Sequence, residues 1–208
     1  MGVTEPYRYE QELVAAGLGP VAGADEAGRG ACAGPLVAAA VVLDSDNPID
    51  GLNDSKKLSR SRREALFARI QQQATAVSVA YVSPQECDQL GMHQADLQGL
   101  RRAIAKLEVD LGFALTDGFE VPGLGVPSLS LWKGDQAVAC VSAASIVAKV
   151  TRDSLMVELD QQYPGYGLAK HMGYCTKEHQ EALLRLGPSP IHRWCFDPVA
   201  RAAKVEPR

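Results

Sequence analysis

The chain has 208 residues, 46% of them hydrophobic and 22% charged, with a net charge of −4. This is the composition of an ordinary globular protein with enough length for a substantial core. No apolar run approaches the roughly 20 residues needed to cross a bilayer, and no basic-then-apolar leader opens the sequence, so a membrane is not expected as a partner and a cytoplasmic location is. The five cysteines, at 32, 87, 140, 175 and 195, are widely spaced with no C-x-x-C pair, which argues against a disulfide framework and against a zinc site.

The first strand expected is Val21–Asp25, and the apolar run Leu36–Leu43 reads as the next. Between them lies Gly23-Ala-Asp-Glu-Ala-Gly-Arg-Gly30. From Asn53 to Arg69 the chain is basic, with Lys56, Lys57, Arg60, Arg62, Arg63 and Arg69 against only Asp54 and Glu64. Ser61 with Glu64 reads as a capping box opening a helix that runs to Gln73. A strand over Ala76–Val82 follows. Ser83-Pro84-Gln-Glu86 then predicts a helix start, with Pro at the first helical position and Glu at the third. Leu97, Leu100, Ile104 and Leu107 form the stripe of a helix over Gln94–Leu107. Short strands are expected at Ala114–Asp117 and Leu129–Trp132. Ser142–Gln162 is the longest helix predicted, stopped by Pro164, and a helix over Thr176–Arg185 closes at Gly187. This order is not a simple βαβ repetition. It fits a mixed, mostly parallel central sheet flanked by helices, with the strand order left open.

Chemistry concentrates in the carboxylates. Asp25 and Glu26 are adjacent at the end of an apolar strand, where two negative charges are costly unless a cation or hydrogen bonds compensate them. Asp117 and Asp135 each stand at or just beyond a later strand end. Clusters of hard oxygen ligands suit Mg²⁺ or Mn²⁺, and a two-ion site needs about four carboxylates converging from different elements. Alternation along a strand would send Asp25 and Glu26 to opposite faces, so both can reach one site only if the chain leaves extended geometry at Glu26. Gly28 and Gly30 let the backbone approach a ligand closely, and Arg29 offers a forked donor for phosphate or sugar oxygens. The net charge is negative, but its distribution is uneven: residues 1–148 carry 12 basic and 18 acidic side chains, whereas 149–208 carry 9 and 7. The basic stretch and the C-terminal part are therefore the parts that can meet a polyanion. None of the four histidines has metal-ligand spacing.

Asp25-Glu26 with Gly28-Arg29-Gly30 resembles the signature of the type 2 ribonuclease H family, in particular its bacterial HII branch. The resemblance continues through Asp54-Ser-Lys-Lys-Leu-Ser59, Thr116-Asp-Gly118, Lys133-Gly-Asp135, Ser142 to Asp153, and Tyr166-Gly167 with His171-Met-Gly-Tyr174. It implies an α/β ribonuclease H-like fold with a C-terminal helical extension, one domain over 1–208 with a core of about 18–160 and a helical substrate-binding part of about 161–208. It also implies a monomeric endonuclease of ribonucleotide excision repair that cuts RNA–DNA hybrids and nicks duplex DNA on the 5′ side of an embedded ribonucleotide. Asp25, Glu26, Asp117 and Asp135 match the family's catalytic and metal-binding acids. Gly28, Arg29, Gly30 and Tyr174 match its readers of the ribose 2′-hydroxyl, the group that distinguishes RNA from DNA. Ser55, Lys56, Lys149 and Arg152 are the expected contacts to backbone phosphate. Two other readings compete: a metal-dependent DNA nuclease of related fold, against which Arg29 and Tyr174 argue, and a non-catalytic nucleic-acid-binding module, against which four phosphate-repelling carboxylates argue.

Overall fold

The computed structural model describes residues 5–204; the outermost residues of the 1–208 span lie outside the described residues. Five strands form the sheet: β1 (Val21–Ala27), β2 (Leu36–Val42), β3 (Ala76–Val82), β4 (Phe113–Asp117) and β5 (Ser128–Leu131), in the order β3-β2-β1-β4-β5. β1 pairs antiparallel with β2, and β2 with β3, while β1–β4 and β4–β5 are parallel. The sheet is mixed, as expected, with parallel pairings making up half. β2 is buried along its whole length, as an apolar strand covered on both faces must be.

Alternation sorts the side chains into two layers. Ala39 and Val41 of β2 face the core shared with the helix α6 (Ala139–Gln162). Ala38, Ala40 and Val42, with Ala22 and Ala24 of β1, face the helix α4 (Met92–Ala105). α6 begins three residues earlier than its apolar run suggested. Its own N-cap residue, Val138, supplies no side-chain cap; instead Glu10, from the helix α1 (Arg8–Ala15), accepts a 2.7 Å hydrogen bond from the Cys140 amide. That partner lies 130 residues away in sequence. The front half of α6 presses so closely on β1 that a Cβ on Gly23 would collide with the main chain of Cys140 and Val141.

The remaining helices are α2 (Arg60–Gln73), α3 (Pro84–Leu90), α5 (Gly134–Ala137), α7 (Leu168–His171), α8 (Lys177–Leu186) and α9 (Asp197–Ala202). The capping box of Ser83 and Glu86 at α3 is present in both directions. At α2 the cap is Ser59, not Ser61: Ser59 is extended and its side chain accepts from the Arg62 amide at 3.3 Å. Ser61 lies inside the helix, and Glu64 pairs with Arg60 instead. The C-terminal helices share a core of their own, in which Leu168, Ala182, Leu183, Ile191 and Val199 pack on Cys32, Ala33 and Met156. The loop that leaves β1 is thereby enclosed by the C-terminal part. Among the described residues no helix is long and apolar enough to cross a membrane.

Candidate active site

The parallel pair β1–β4 brings two strand ends side by side, with Asp25 on one and Asp117 on the other. Asp117 Oδ1 accepts the Gly134 amide at 2.8 Å, which draws the start of α5, and with it Asp135, toward the same point. Carboxylate oxygens of Asp25, Asp117 and Asp135 all lie within 4.8 Å of one another. Asp25 and Asp135 are buried. Burial, reinforced by the charges of Glu26 and Asp117, pushes the Asp25 carboxyl well above the usual carboxylate range. Burial likewise pushes Asp135 up to about 6, with Asp117 and Asp54 adding to it. An all-oxygen set carrying this much uncompensated negative charge fits a hard divalent cation.

Glu26 is not part of this triad. β1 stays extended through Ala27, so the departure expected at Glu26 does not occur. Asp25 shares its face with Gly23, against α6, while the Glu26 carboxyl stays close enough for the Asp25 side chain and the Asp117 charge to act on it. Burial raises the Glu26 carboxyl as well, while the Asp25 side chain, Arg29 and Lys56 act to lower it. It lines a cleft of about 470 Å³ together with Gly28, Arg29, Gly30, Ser55, Lys56, Arg63, Lys149 and Tyr174. One concavity thus gathers eight of the twelve expected site residues beside the triad.

The cleft wall is built by the loops. Burial works against the Lys56 ammonium, but Asp25, Asp54, Asp135 and Glu26 together outweigh it and hold its pKa up. Ser55 is buried and its Oγ accepts from Ser145 Oγ on α6 at 2.8 Å. Arg63 Nη1 donates to the carbonyls of Ser55 and Leu58, at 2.8 and 2.5 Å, pinning the basic loop to α2. Lys149 reaches the cleft while paired with Asp153 at 2.7 Å. Tyr174 is 40% exposed, with its ring next to the Gly30 main chain and 5.8 Å from the Arg152 guanidinium. Elsewhere in the basic stretch Lys57 donates to Gln136, Arg60 pairs with Glu64 and Arg69 donates to the Asp50 carbonyl.

Arg152 corrects an expectation. It is 1% exposed, and each of its three guanidinium nitrogens donates to a main-chain carbonyl: Nε to Pro35 at 3.0 Å, Nη1 to Met172 at 2.8 Å and Nη2 to Ala33 at 3.0 Å. Burial lowers its pKa to about 10. It is placed to hold loops together, not to meet a phosphate. Gly28, at φ 89°, leaves the space for it, since a Cβ there would collide with the guanidinium. Arg193, unremarked in the sequence, is its counterpart. Fully buried, it donates to the carbonyls of Gly34, Gly28 and Arg29 at 2.9, 2.7 and 3.3 Å. Two buried arginines, one from α6 and one from the C-terminal part, therefore set the Gly28–Gly34 loop. Also missed was a buried histidine group. His171 stacks on His179 at 4.4 Å, and His179 Nε2 lies 3.0 Å from His192 Nε2. Burial lowers both His179 and His192 to about 4. None of the three lines the cleft.

The family model described as Ribonuclease HII matches residues 22–199. The chain belongs to the ribonuclease HII family. Ribonuclease HII of Cutibacterium acnes is 57% identical over 199 residues, covering 95% of this chain and 98% of that one. The crystal structure of ribonuclease H2 from Pyrococcus horikoshii OT3 superposes with a TM-score of 0.75 at 29% identity, covering 88% of this chain and 97% of that one. A Bst-RNase HIII solved in complex with Mn²⁺ shares the fold, with a TM-score of 0.62 at 19% identity over 92% of this chain and 73% of that one. As a ribonuclease HII the chain is a nuclease, a hydrolase of phosphodiesters, with the ribonuclease H fold.

Proposed function

We propose that the chain hydrolyses the RNA strand of RNA–DNA hybrids and nicks duplex DNA on the 5′ side of an embedded ribonucleotide, leaving 3′-hydroxyl and 5′-phosphate ends. The observation that carries this reading is the single cleft in which a carboxylate triad adjoins a glycine-flanked arginine, a lysine and a half-exposed tyrosine. Asp25, Asp117 and Asp135 would hold Mg²⁺ or Mn²⁺, with Glu26 completing the set for a second ion. When bound, such ions neutralise charge at phosphorus, activate water and stabilise the leaving oxygen. The Mn²⁺ complex of the HIII relative supports ions of this class.

The protein's own groups select and hold the substrate. Lys56 and Lys149 give the cleft positive charge for the phosphates flanking the scissile bond. Gly28 and Gly30 leave the main chain bare at the cleft, so it can approach a ribose closely enough to test its 2′-hydroxyl. The Tyr174 ring is free to pack on the next sugar and so to read the RNA-to-DNA junction. The protein acts as a monomer in the cytoplasm on this reading, within a single domain whose C-terminal helices anchor the reading loop. A route using the 2′-hydroxyl as nucleophile would leave a cyclic phosphate, and the clustered histidines, the side chains that most often serve such proton transfer, are buried away from the cleft.

The test is incubation with Mg²⁺ or Mn²⁺ and three end-labelled duplexes: all-DNA, DNA with one ribonucleotide, and RNA–DNA hybrid. The last two should be cut and the first left intact, with ligatable 3′-hydroxyl ends. Equal cutting of the all-DNA duplex would favour a DNA nuclease of related fold, and cyclic-phosphate ends would overturn the hydrolytic mechanism.

A further inference from the structure

Asp96 lies on α4, on the face of the sheet opposite the carboxylate triad, and is fully buried. Neither of its carboxyl oxygens takes part in a hydrogen bond among the described residues. Its partner is Arg29, whose Nε stands 3.2 Å from Oδ2. The same guanidinium lies over the Phe119 ring, 4.7 Å from its centroid, and the Phe119 ring is met edge-on by His93 at 5.5 Å. Phe119 follows directly on the turn Asp117-Gly118. The Arg29 side chain therefore spans three elements: its own loop after β1, α4 through Asp96, and the end of β4 through Phe119.

A buried carboxyl without hydrogen bonds destabilises a fold, and an apolar residue of similar volume would serve the core better. What Asp96 does contact is the one side chain between the two glycines at the cleft. We propose that Asp96 is a positioning residue for ribose recognition: it holds the Arg29 side chain between its carboxyl and the Phe119 ring, and so fixes the main chain of Gly28-Arg29-Gly30 where a ribose is read. The inference rests on the functional reading above and deepens it. Arg29 then serves as the anchor of the reading loop on this side, as Arg152 and Arg193 anchor it on the other, and its exposed part remains at the cleft.

The test is a double-mutant cycle on the full chain with Mg²⁺. Asp96→Leu keeps the branched shape and removes the oxygen that faces Arg29, and Asp96→Asn keeps such an oxygen. On duplex DNA with one ribonucleotide, kcat/KM of Asp96→Leu should fall about tenfold, chiefly through KM, and by at least about fivefold more than on a continuous hybrid. Asp96→Asn should recover most of that loss. In an Arg29→Ala background, Asp96→Leu should add nothing, although its urea midpoint should be no lower than that of the wild type. Asp96→Ser, too short to reach Arg29, replaces Asp96→Leu if the latter does not fold. Additive losses in the cycle, or equal losses on both substrates, would overturn the clamp while leaving the functional reading intact. A wild-type protein that leaves the ribonucleotide duplex uncut would overturn the functional reading, and ribose positioning by Asp96 with it.

Discussion

Asp25→Asn separates what the carboxylate triad does for the fold from what it does for the chemistry. The substitution is nearly isosteric and keeps an oxygen to accept the Glu26 amide, now at 2.7 Å from Asp25 Oδ1. It removes one of three charges whose oxygens lie within 4.8 Å of one another. At an effective dielectric of about 20, each such pair repels by about 3 kcal/mol. Part of that repulsion is already relieved by protonation, because burial holds the Asp25 carboxyl well above the usual range. The net gain expected without metal is thus about 1–3 kcal/mol, and its pH dependence has a definite sign. A carboxyl whose pKa is higher folded than unfolded binds its proton more tightly in the folded state, so wild-type stability falls as pH rises through the folded pKa. The advantage of Asp25→Asn should therefore grow as pH rises from the ordinary carboxylate pKa near 4 toward pH 9. Added Mg²⁺ should reverse the order, since a ligand at 100 times its Kd stabilises by about 2.7 kcal/mol and the variant has lost a ligand. Urea denaturation in EDTA and in Mg²⁺ across this pH range gives the stabilities, and hybrid cleavage, expected to be abolished, gives the activity. Near-normal Mg²⁺-dependent rates in the variant, or a variant less stable than wild type in EDTA at pH 9, would refute the assignment of these carboxylates to a metal.

Three further perturbations probe the cleft and its supports. Tyr174→Ala should reduce single-ribonucleotide cleavage tenfold or more, since one stacking contact is worth about 1–3 kcal/mol, with a smaller loss on a continuous hybrid; an unchanged substrate profile counts against the junction-reading role. Arg152→Lys cannot serve three carbonyls at once and should lower the free energy of unfolding by about 3 kcal/mol, while the salt slope of substrate binding stays unchanged. A slope reduced by about 1 with stability intact would instead make Arg152 a phosphate contact. His179 and His192, lowered to about 4 by burial, should show no imidazole titration by NMR between pH 8 and pH 5. Because the unfolded rings bind protons near pH 6.5, each contributes a stability loss of about 1.4 kcal/mol per pH unit as pH falls from 6.5 toward 4; a ring titrating near 6.5 in the folded protein would contradict that.

Much of this site was legible in the sequence because its chemistry stands at the ends of apolar runs. Asp25 and Asp117 each mark such an end and Asp135 follows shortly after β5, and an apolar run bounded by an acid needs only local information. What was not legible depends on partners that local pattern does not encode. The strand order β3-β2-β1-β4-β5 places Asp117 beside Asp25 through a parallel pairing across some 90 residues, and no residue in either strand announces it. The backbone at Glu26 was not legible for a related reason: the glycines after it suggested a bend, but six consecutive register pairs with β2, through Ala27, keep the chain extended. Arg152 misled because its partners are carbonyls of Ala33, Pro35 and Met172, which have no side-chain signature. On a polar stretch of helix, an arginine that binds carbonyls and one that binds phosphate look alike. Asp96 did carry a signal. It falls one turn after Met92 and one before Leu100, on the buried side of α4 where an apolar residue is expected. An acid on an apolar stripe either unbalances the core or faces a charge arriving from another element. Here that charge is Arg29, and the misfit on α4 points to the same loop that the glycines of the first motif had already marked.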